Sequence, residues 1–294
     1  MARRSWFSRA AGRSGRDARA NAERVPSDLF EQCPNRSCGI FLYRKELEKD
    51  LKVCKKCGYH FPLTAVERIN LLLDEGTFEA FEFNLKTGDP LGFPGYRETL
   101  ERYRAKTGMQ EAIIAGRGLV GGTNAAICVT DFSFLAGSMN SVVGETIART
   151  LEEAAAARAP IILVSGSGGG ARMHEGLLSL MQMAKTAAAL ERYDRAGMLS
   201  ICILTDYTMG GVLASWASLG DVILAEPGAN VGFTGGRVAA KVQTERPPEN
   251  FRTAEFSFEH GMIDRVTPRS QLKETIARLL SISAADKVRG MAKR

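Results

Sequence analysis

Residues 161–173 read Ile-Ile-Leu-Val-Ser-Gly-Ser-Gly-Gly-Gly-Ala-Arg-Met, an apolar run that stops at a glycine turn and restarts as a helix. The same order recurs from Glu111 onward. Apolar runs and Ala-rich periodic segments predict strands over 112–118 and 125–130, a helix over 142–157 and a strand over 161–165. They continue with a helix over 171–195, a strand over 199–205, a helix over 211–219 and a strand over 221–225. Short strands alternating with helices predict a layered α/β domain over residues 111–285. Strand ends are followed by glycine-rich turns at 136–141, 167–171, 208–212, 227–229 and 232–236. Bare backbone is therefore presented repeatedly at strand ends, where α/β folds collect their ligands.

The 45% hydrophobic content of these 294 residues is enough for a full-sized core. No apolar run approaches the roughly 18 residues of a membrane span, and the N-terminus lacks the apolar centre of a secretory signal. The expected location is the cytoplasm, or the plastid stroma if the first residues are a transit segment. Residues 1–20 carry six arginines against Asp17, so most of the net charge of +6 lies there. Residues 1–28 read as a disordered basic tail, with a transit peptide or a nucleic-acid arm as the other readings. Residues 286–294 read as a short basic C-terminal tail.

The cysteines divide by context. Cys128 and Cys202 sit inside apolar runs and are expected as small core residues. Cys33, Cys38, Cys54 and Cys57 follow the pattern C-x4-C, fifteen residues, C-x2-C. Two turns each offering a thiolate pair fit a four-cysteine ribbon, here residues 29–62, around one structural Zn²⁺. Disulfides are disfavoured without a secretory signal. His60 is expected as a surface or packing residue, since four cysteines fill the site. Residues 63–110 read as a connector: a short helical pattern on Val66, Ile69, Leu72 and Leu73, then a Gly/Pro-rich loop.

Three chemistries compete for the glycine turn. A phosphate-cradling loop needs Gly-Lys-Ser/Thr, which is missing. Gly166, Gly168 and Ala171 satisfy G-x-G-x-x-A, but the acidic residue expected about 20 positions on is displaced, with Asp206 ending the next strand 40 positions past Gly166. A serine elbow is broken by Ser165 at its first glycine, and none of His60, His174 and His260 is assigned as its base. His260 is expected to cap a helix. What remains is a set of main-chain amides that stabilise an oxyanion, drawn from Gly168, Gly169, Gly170 and Ala171 with Met209, Gly210 and Gly211 beside them. Without a nucleophile or base, the reaction should need only carbonyl polarisation, as in thioester enolate chemistry, with another molecule accepting the proton.

Six stretches together are more specific. They are Leu-Tyr-Arg-Lys-Glu-Leu (42–47), Gly-Ser-Met-x-Ser-Val-Val-Gly (137–144), Ser-Gly-Gly-x-Ala-Arg-Met-x-Glu (167–175), Leu-Ser-Leu-Met-Gln-Met-Ala-Lys-Thr (178–186), Leu-Thr-Asp-x-Thr-Met-Gly-Gly-Val (204–212) and Ala-Glu-Pro-x-Ala-x-Val-Gly-Phe (225–233). With these the chain closely resembles the acetyl-CoA carboxylase carboxyltransferase beta subunits of bacteria and plastids, from about Cys33 to Leu280. The resemblance implies a crotonase-type spiral α/β domain preceded by the zinc ribbon. It implies transfer of a carboxyl group from carboxybiotin, borne on a biotin carboxyl carrier protein, to acetyl-CoA, giving malonyl-CoA for fatty acid synthesis. The biotin ureido nitrogen would take the methyl proton.

The same resemblance implies a carboxyltransferase alpha subunit, in an assembly of two alpha and two beta chains, and a biotin carboxylase that charges the carrier. No membrane association is implied. The methionines of 178–186 are expected in the core or at the alpha-subunit interface. Three departures stand out: C-x4-C where the family has C-x2-C, one glycine more than the pattern at Gly170, and Asn140 where glycine is usual, suggesting positive φ. Arg172, Arg237 and Lys241 are candidate ligands of the CoA phosphates by proximity to the turns. Other readings are a carboxyltransferase or decarboxylase for a different acyl-CoA, or a zinc-ribbon protein that binds nucleic acid, a property expected to be secondary.

Overall fold

The computed structural model describes residues 29–234, 247–248 and 250–291. The expected basic N-terminal tail, the glycines at 235–236, Arg237 and Lys241 lie outside the described residues. Between Tyr59 and His60 the chain divides into two compact units.

In the first unit β1 (Phe30–Gln32) pairs antiparallel with β2 (Phe41–Tyr43), and α1 (Arg44–Lys49) follows directly. Its buried apolar residues include Cys33, Leu47 and Cys54. So small an apolar core needs cross-linking, which the cysteines supply.

The second unit begins with α2 (Ala65–Leu72), β3 (Glu79–Ala80) and α3 (Tyr96–Thr107). A hairpin follows, β4 (Ile113–Val120) and β5 (Thr123–Thr130), and then α4 (Ser141–Ala156), β6 (Ile161–Ser167) and α5 (Gly176–Arg195). Next come β7 (Ser200–Met209), the single-turn α6 (Gly210–Leu213), β8 (Val222–Ala225) and β9 (Val231–Gly232). The described elements end with α7 (Ala254–Glu259), β10 (Arg265–Val266) and α8 (Arg269–Met291). Strand order is β10-β8-β7-β6-β5-β4-β3, with β9 pairing β7 beyond this path. From β5 to β10 neighbours run parallel, while β3, β4 and β5 pair antiparallel. Helices consequently cover both faces, as parallel sheets require.

Period-two alternation assigns each strand residue to one of two cores. Ala126, Cys128, Ile161, Leu163, Cys202 and Leu204 face the core completed by α3, α4 and α5. Ile127, Val129, Ile162, Val164, Ile201 and Ile203 face the core completed by α2 and α8. Cys128 and Cys202 are buried free thiols, as expected. Residues 63–110 do more than connect. Ala65, Ile69 and Leu72 of α2 belong to one core, and Tyr96 and Leu100 of α3 to the other. Val66, counted in the helical pattern, faces solvent. The segment read as a C-terminal tail continues α8 as far as Met291.

Start signals explain the helix positions. Thr64 and Glu67 form a reciprocal capping box on α2, and the Ala65 N–H donates to Asp131 Oδ2 (2.7 Å). Beside α2, Glu226 lies just past β8 and accepts from two guanidinium groups. Arg68 donates through Nη1 and Nη2 at 2.5 and 2.8 Å, and Arg269 through Nε and Nη2 at 2.7 and 2.9 Å. Arg269 also donates to the Phe61 carbonyl (2.9 Å), so the starts of α2 and α8 are tied to the end of β8.

Burial alone raises the Glu226 carboxyl, but Arg68 and Arg269 outweigh it and hold the group far below the usual carboxylate range. A depressed folded pKa gives stability that is fully present above the unfolded glutamate value of about 4.3 and is lost as pH falls through the folded value. Glu226→Ala should therefore lower unfolding stability at pH 7 by about 3–5 kcal/mol, because two buried cations lose their partner. Urea titrations from pH 7 down to pH 3 check this. The gap to the parent should stay constant to about pH 4.3 and narrow only below it.

Candidate functional site

In the first unit, the Sγ atoms of Cys33, Cys38, Cys54 and Cys57 lie within 4.8 Å of one another. The Cys33–Cys57 and Cys38–Cys54 separations are 3.6 and 3.9 Å. A ZnS₄ tetrahedron with bonds of about 2.3 Å has edges of about 3.8 Å, so the four thiolates fit a zinc ion. A disulfide would need sulfurs about 2.05 Å apart. Both cysteine turns close in the same way, with Cys33 N donating to Ile40 O and Cys54 N to Tyr59 O, each at 2.8 Å. The longer first turn takes up its extra residues at Asn35, whose Oδ1 accepts from Ser37 N (3.1 Å) and Ser37 Oγ (2.7 Å). C-x4-C changes the length of that turn and not its closure.

In the second unit, β6 and β7 end side by side, with Ser167 opposite Thr208. The turns that follow them are thereby brought together. After β6, the Gly168 and Gly169 N–H groups both donate to the Ala136 carbonyl, at 3.0 and 3.1 Å. These two amides are engaged within the fold, which corrects the expectation that they are oxyanion donors. The Met139 N–H donates to Gly170 O (2.7 Å) and the Arg172 N–H to Met139 O (2.8 Å), a parallel bridge that flanks Ala171 on both sides. Successive N–H groups of extended backbone point to opposite sides, so the Ala171 N–H is directed away from Met139. Among the described residues neither the Gly170 nor the Ala171 N–H has an acceptor.

On the facing side stands α6, whose first N–H groups have no acceptor within the helix. Gly170 and Gly210 are left-handed, at φ +56° and +60°. A Cβ at Gly170 would lie 3.3 Å from Gly211 N, and one at Gly211 would lie 3.6 Å from Ala171 N. The turns thus meet backbone to backbone. The parallel bridge of Met209 with Gly232 commits the Gly210 N–H to the Gly232 carbonyl, so Gly170, Ala171 and Gly211 remain as candidate donors, a correction to the expectation for Gly210. The turn at 136–141 lies under them through Ala136 and Met139. The segment after β8 approaches through β9 and the Phe233 carbonyl, 3.7 Å from where a Gly210 Cβ would sit.

Behind the bridge is a buried polar assembly. Arg172 is 1% exposed and donates from Nη1 and Nη2 to the two oxygens of Glu111, at 3.0 and 2.6 Å. It is therefore closed off from a CoA phosphate, contrary to the expectation from proximity. Asn140 has φ −118°, not positive φ: it caps α4, accepting from Val143 N (2.9 Å), and donates to Thr87, Glu111 and Glu175. Glu175 also accepts from the Tyr96 hydroxyl (3.1 Å), Ser141 N (2.9 Å) and Ser141 Oγ (2.7 Å). Tyr96, Thr87 and Glu111 come from the stretch read as a connector or its boundary and carry no sequence signal. Glu175 and Asn140 lie in the quoted motifs.

The histidines occupy packing and capping positions. His174 stacks on Tyr96 (4.5 Å between centroids) with Phe93 edge-on (5.0 Å), and burial followed by the Arg172 charge holds its pKa below the usual imidazole value. His260 caps the end of α7, as expected, and His60 is buried and accepts from Arg269 N. The methionines of 178–186 divide: Met183 packs against the core and Met181 is exposed.

The chain thus carries a four-cysteine ribbon of zinc-binding geometry followed by a largely parallel-sheet domain with facing amide turns at its strand ends. Its fold is shared with solved structures. Transcarboxylase 12S with methylmalonyl-coenzyme A and methylmalonic acid bound aligns at TM-score 0.62 and 24% identity, over 74% of this chain and 41% of that chain. The Pseudomonas malonate decarboxylase hetero-tetramer in complex with malonate aligns at 0.59 and 22%, over 74% and 82%. The Carboxyl transferase domain family matches residues 62–250, and the Acetyl-CoA carboxylase zinc finger domain family matches residues 31–57. The acetyl-coenzyme A carboxylase carboxyl transferase subunit beta of Desulforamulus reducens is 51% identical, covering 88% of both chains. That of Desulforudis audaxviator is 50% identical, over 89% of this chain and 94% of the other. This chain belongs to the acetyl-CoA carboxylase carboxyl transferase beta subunit family. Among the described residues no helix is long and apolar enough to cross a membrane.

Cys54→Ser removes one of four zinc ligands and should take the purified chain from one bound zinc per molecule to well below half. Metal analysis after dialysis reads the loss, and full retention would remove zinc from the ribbon.

Proposed function

We propose that Ala171 and Gly211, supported by Gly170, supply the amides that stabilise the acetyl-CoA enolate during carboxyl transfer. As a member of its family the chain is a carboxyltransferase subunit that forms malonyl-CoA from acetyl-CoA. The carboxyl group arrives on biotin carried by a separate protein. In the transfer, the N–C bond to the carboxyl group breaks and a C–C bond forms to the acetyl methyl carbon. The methyl proton passes to the ureido nitrogen that the carboxyl group leaves. The chain's task is then to bind negative charge at the thioester oxygen, and converging N–H groups do so without a side-chain base. The facing of the 168–171 and 209–211 turns is the observation that carries this reading. Zinc has a structural role in the ribbon, residues 29–62, and residues 111–285 form the catalytic body.

The carboxyltransferase alpha subunit completes the enzyme, in a heterotetramer of two alpha and two beta chains, with the biotin carboxyl carrier protein and biotin carboxylase as further partners. On α5 and the turn before it, Met173, Leu177, Leu180 and Met181 repeat at helical spacing and are 82%, 69%, 52% and 54% exposed. An apolar stripe of this kind marks a protein interface, and it is the face proposed for the alpha subunit. Leu180→Glu should weaken assembly at least tenfold in sedimentation velocity and leave the isolated chain folded.

Mixing the chain with a matching alpha subunit, carboxybiotin and acetyl-CoA should yield malonyl-CoA, with propionyl-CoA as the comparison for acyl selectivity. Gly170→Ala, which pushes a Cβ toward Gly211 N, should lower kcat by about 10²–10³-fold, the usual cost of losing one oxyanion donor. A correctly assembled enzyme that makes no malonyl-CoA, or a Gly170→Ala variant as fast as the parent, would remove the reading.

A further inference from the structure

We infer that Arg172 is a positioning residue for the reaction: with Glu111 it fixes the direction of the Ala171 N–H. The inference rests on the oxyanion reading above. Arg172 follows Ala171 directly, so whatever holds its backbone and side chain sets the peptide plane beside the candidate donor. Its main chain is held by Met139 O (2.8 Å), the acceptor half of the bridge around Ala171.

The guanidinium has five N–H groups, and the structure gives it five acceptors. Nε donates to Ser138 Oγ (3.0 Å), Nη1 to the Tyr96 hydroxyl (3.2 Å) and Glu111 Oε2 (3.0 Å), and Nη2 to Glu111 Oε1 (2.6 Å) and Ser138 O (2.8 Å). No donor remains for a ligand, so Arg172 acts through what it holds. Its anchors come from separate parts of the fold: Tyr96 opens α3, Glu111 precedes β4 and Ser138 precedes α4.

The anchors are themselves fixed. Glu111 accepts from Ala112 N (2.8 Å), from Asn140 Nδ2 (3.0 Å) and from the Thr87 hydroxyl. Asn140 Nδ2 also donates to Glu175 Oε1 (3.0 Å), and the Tyr96 hydroxyl that accepts from Arg172 donates to the same oxygen (3.1 Å). Arg172, Glu111, Asn140 and Glu175 thus form one network beneath the bridge, each at most 4% exposed.

Stability alone does not account for it. A buried ion pair gains little over well-packed apolar side chains of the same volume, whereas an oxyanion donor must be held to within about 0.5 Å. The fork geometry is also specific: lysine keeps the charge but cannot satisfy two carboxylate oxygens and the Ser138 carbonyl at once. The Arg68–Glu226–Arg269 cluster has the same chemistry but packs with the α2 and α8 core, not with the amide turns, and it supplies an internal control.

The test compares Arg172→Lys and Arg269→Lys in the assembled enzyme. Arg172→Lys should lower kcat about 10²-fold, as for a misdirected donor, with the acetyl-CoA KM within about twofold of the parent. Amide hydrogen exchange over residues 168–173 should accelerate while that over 161–164 is unchanged. Arg269→Lys should lower the urea midpoint and leave kcat per folded enzyme intact. If Arg172→Lys does not fold, Glu111→Gln reads the same kcat-against-KM split with the shape of the acceptor kept.

A rise in KM alone would make Arg172 a CoA ligand and overturn the inference. So would a kcat loss matched by Arg269→Lys, or unchanged exchange at 168–173. If the parent enzyme makes no malonyl-CoA, the oxyanion reading fails by itself, and the exchange comparison still decides whether Arg172 holds the turn.

Discussion

The site depends on the two hydrogen bonds that Met139 makes on either side of Ala171. Without them the residues after β6 would be a glycine-rich loop free to adopt many conformations, with a large entropy cost for each one fixed. With them, Gly170 O and Arg172 N are committed to one side and the Ala171 N–H is left facing the other. The Ala136 carbonyl adds a second constraint by drawing in the Gly168 and Gly169 N–H groups. One turn, 136–141, therefore determines which amides of its neighbour are engaged and which remain for a ligand. Because Asn140 of that turn also caps α4, the start of a core helix and the direction of the Ala171 amide have a common origin.

Placement of the second turn follows from the sheet. Parallel pairing of β6 with β7 sets Ser167 beside Thr208, so the chain leaves both strands at the same edge. A register slip would carry Ile162, Val164, Ile201 and Ile203 to the wrong core, which makes that edge as well defined as the packing of both faces. The core beneath α2 and α8 thus contributes to the site without touching it. The buried Glu226 cluster ties those two helices to the end of β8.

Much of this was legible in residue patterns, and the misses share a cause. Strands and helices from Glu111 to Ala225 follow periodicity, most of them to within a few residues, but the helix expected over 211–219 is only the single turn Gly210–Leu213 and a separate 3-10 turn at Trp216–Ser218. The helix expected over 171–195 starts instead at Gly176, after a short 3-10 turn at Met173–Glu175. The four cysteines declare their chemistry by spacing and donor type. The two facing amide turns were visible as glycines, but which amides are free was not, since it depends on the Ala136 and Met139 carbonyls, which have no sequence signature. Arg172 beside a glycine turn suggested an anion ligand because its partner Glu111 is 61 positions away, and pairs so distant leave no local trace. Asn140 carries a related ambiguity: its tolerance of positive φ is intrinsic, while its use as a cap is decided by the helix that follows. The helix α3 lay hidden because its mean composition is polar and only Tyr96 and Leu100 of it are buried.

A site built from backbone amides changes what side chains are for. The proposed donors at Gly170, Ala171 and Gly211 are the same N–H groups that nearly any residue possesses, and Gly210 sets the conformation of the turn that carries Gly211. Identity at these positions matters because a Cβ at Gly170 or Gly210 would enter the space between the turns, and because both need left-handed φ. Side-chain chemistry is displaced one layer back, to groups that aim the backbone without meeting the substrate. This reconciles two features of the 167–175 motif that otherwise conflict. Arg172 and Glu175, its charged members with the strongest apparent claim to catalysis, are sealed from solvent. The donors stand on the residues with the least chemistry. On the interface proposed above, the exposed apolar stripe on α5 begins only a few residues beyond the amide turn, so a partner chain seated there would lie next to the donors, and backbone amides bind charge most strongly where water is excluded.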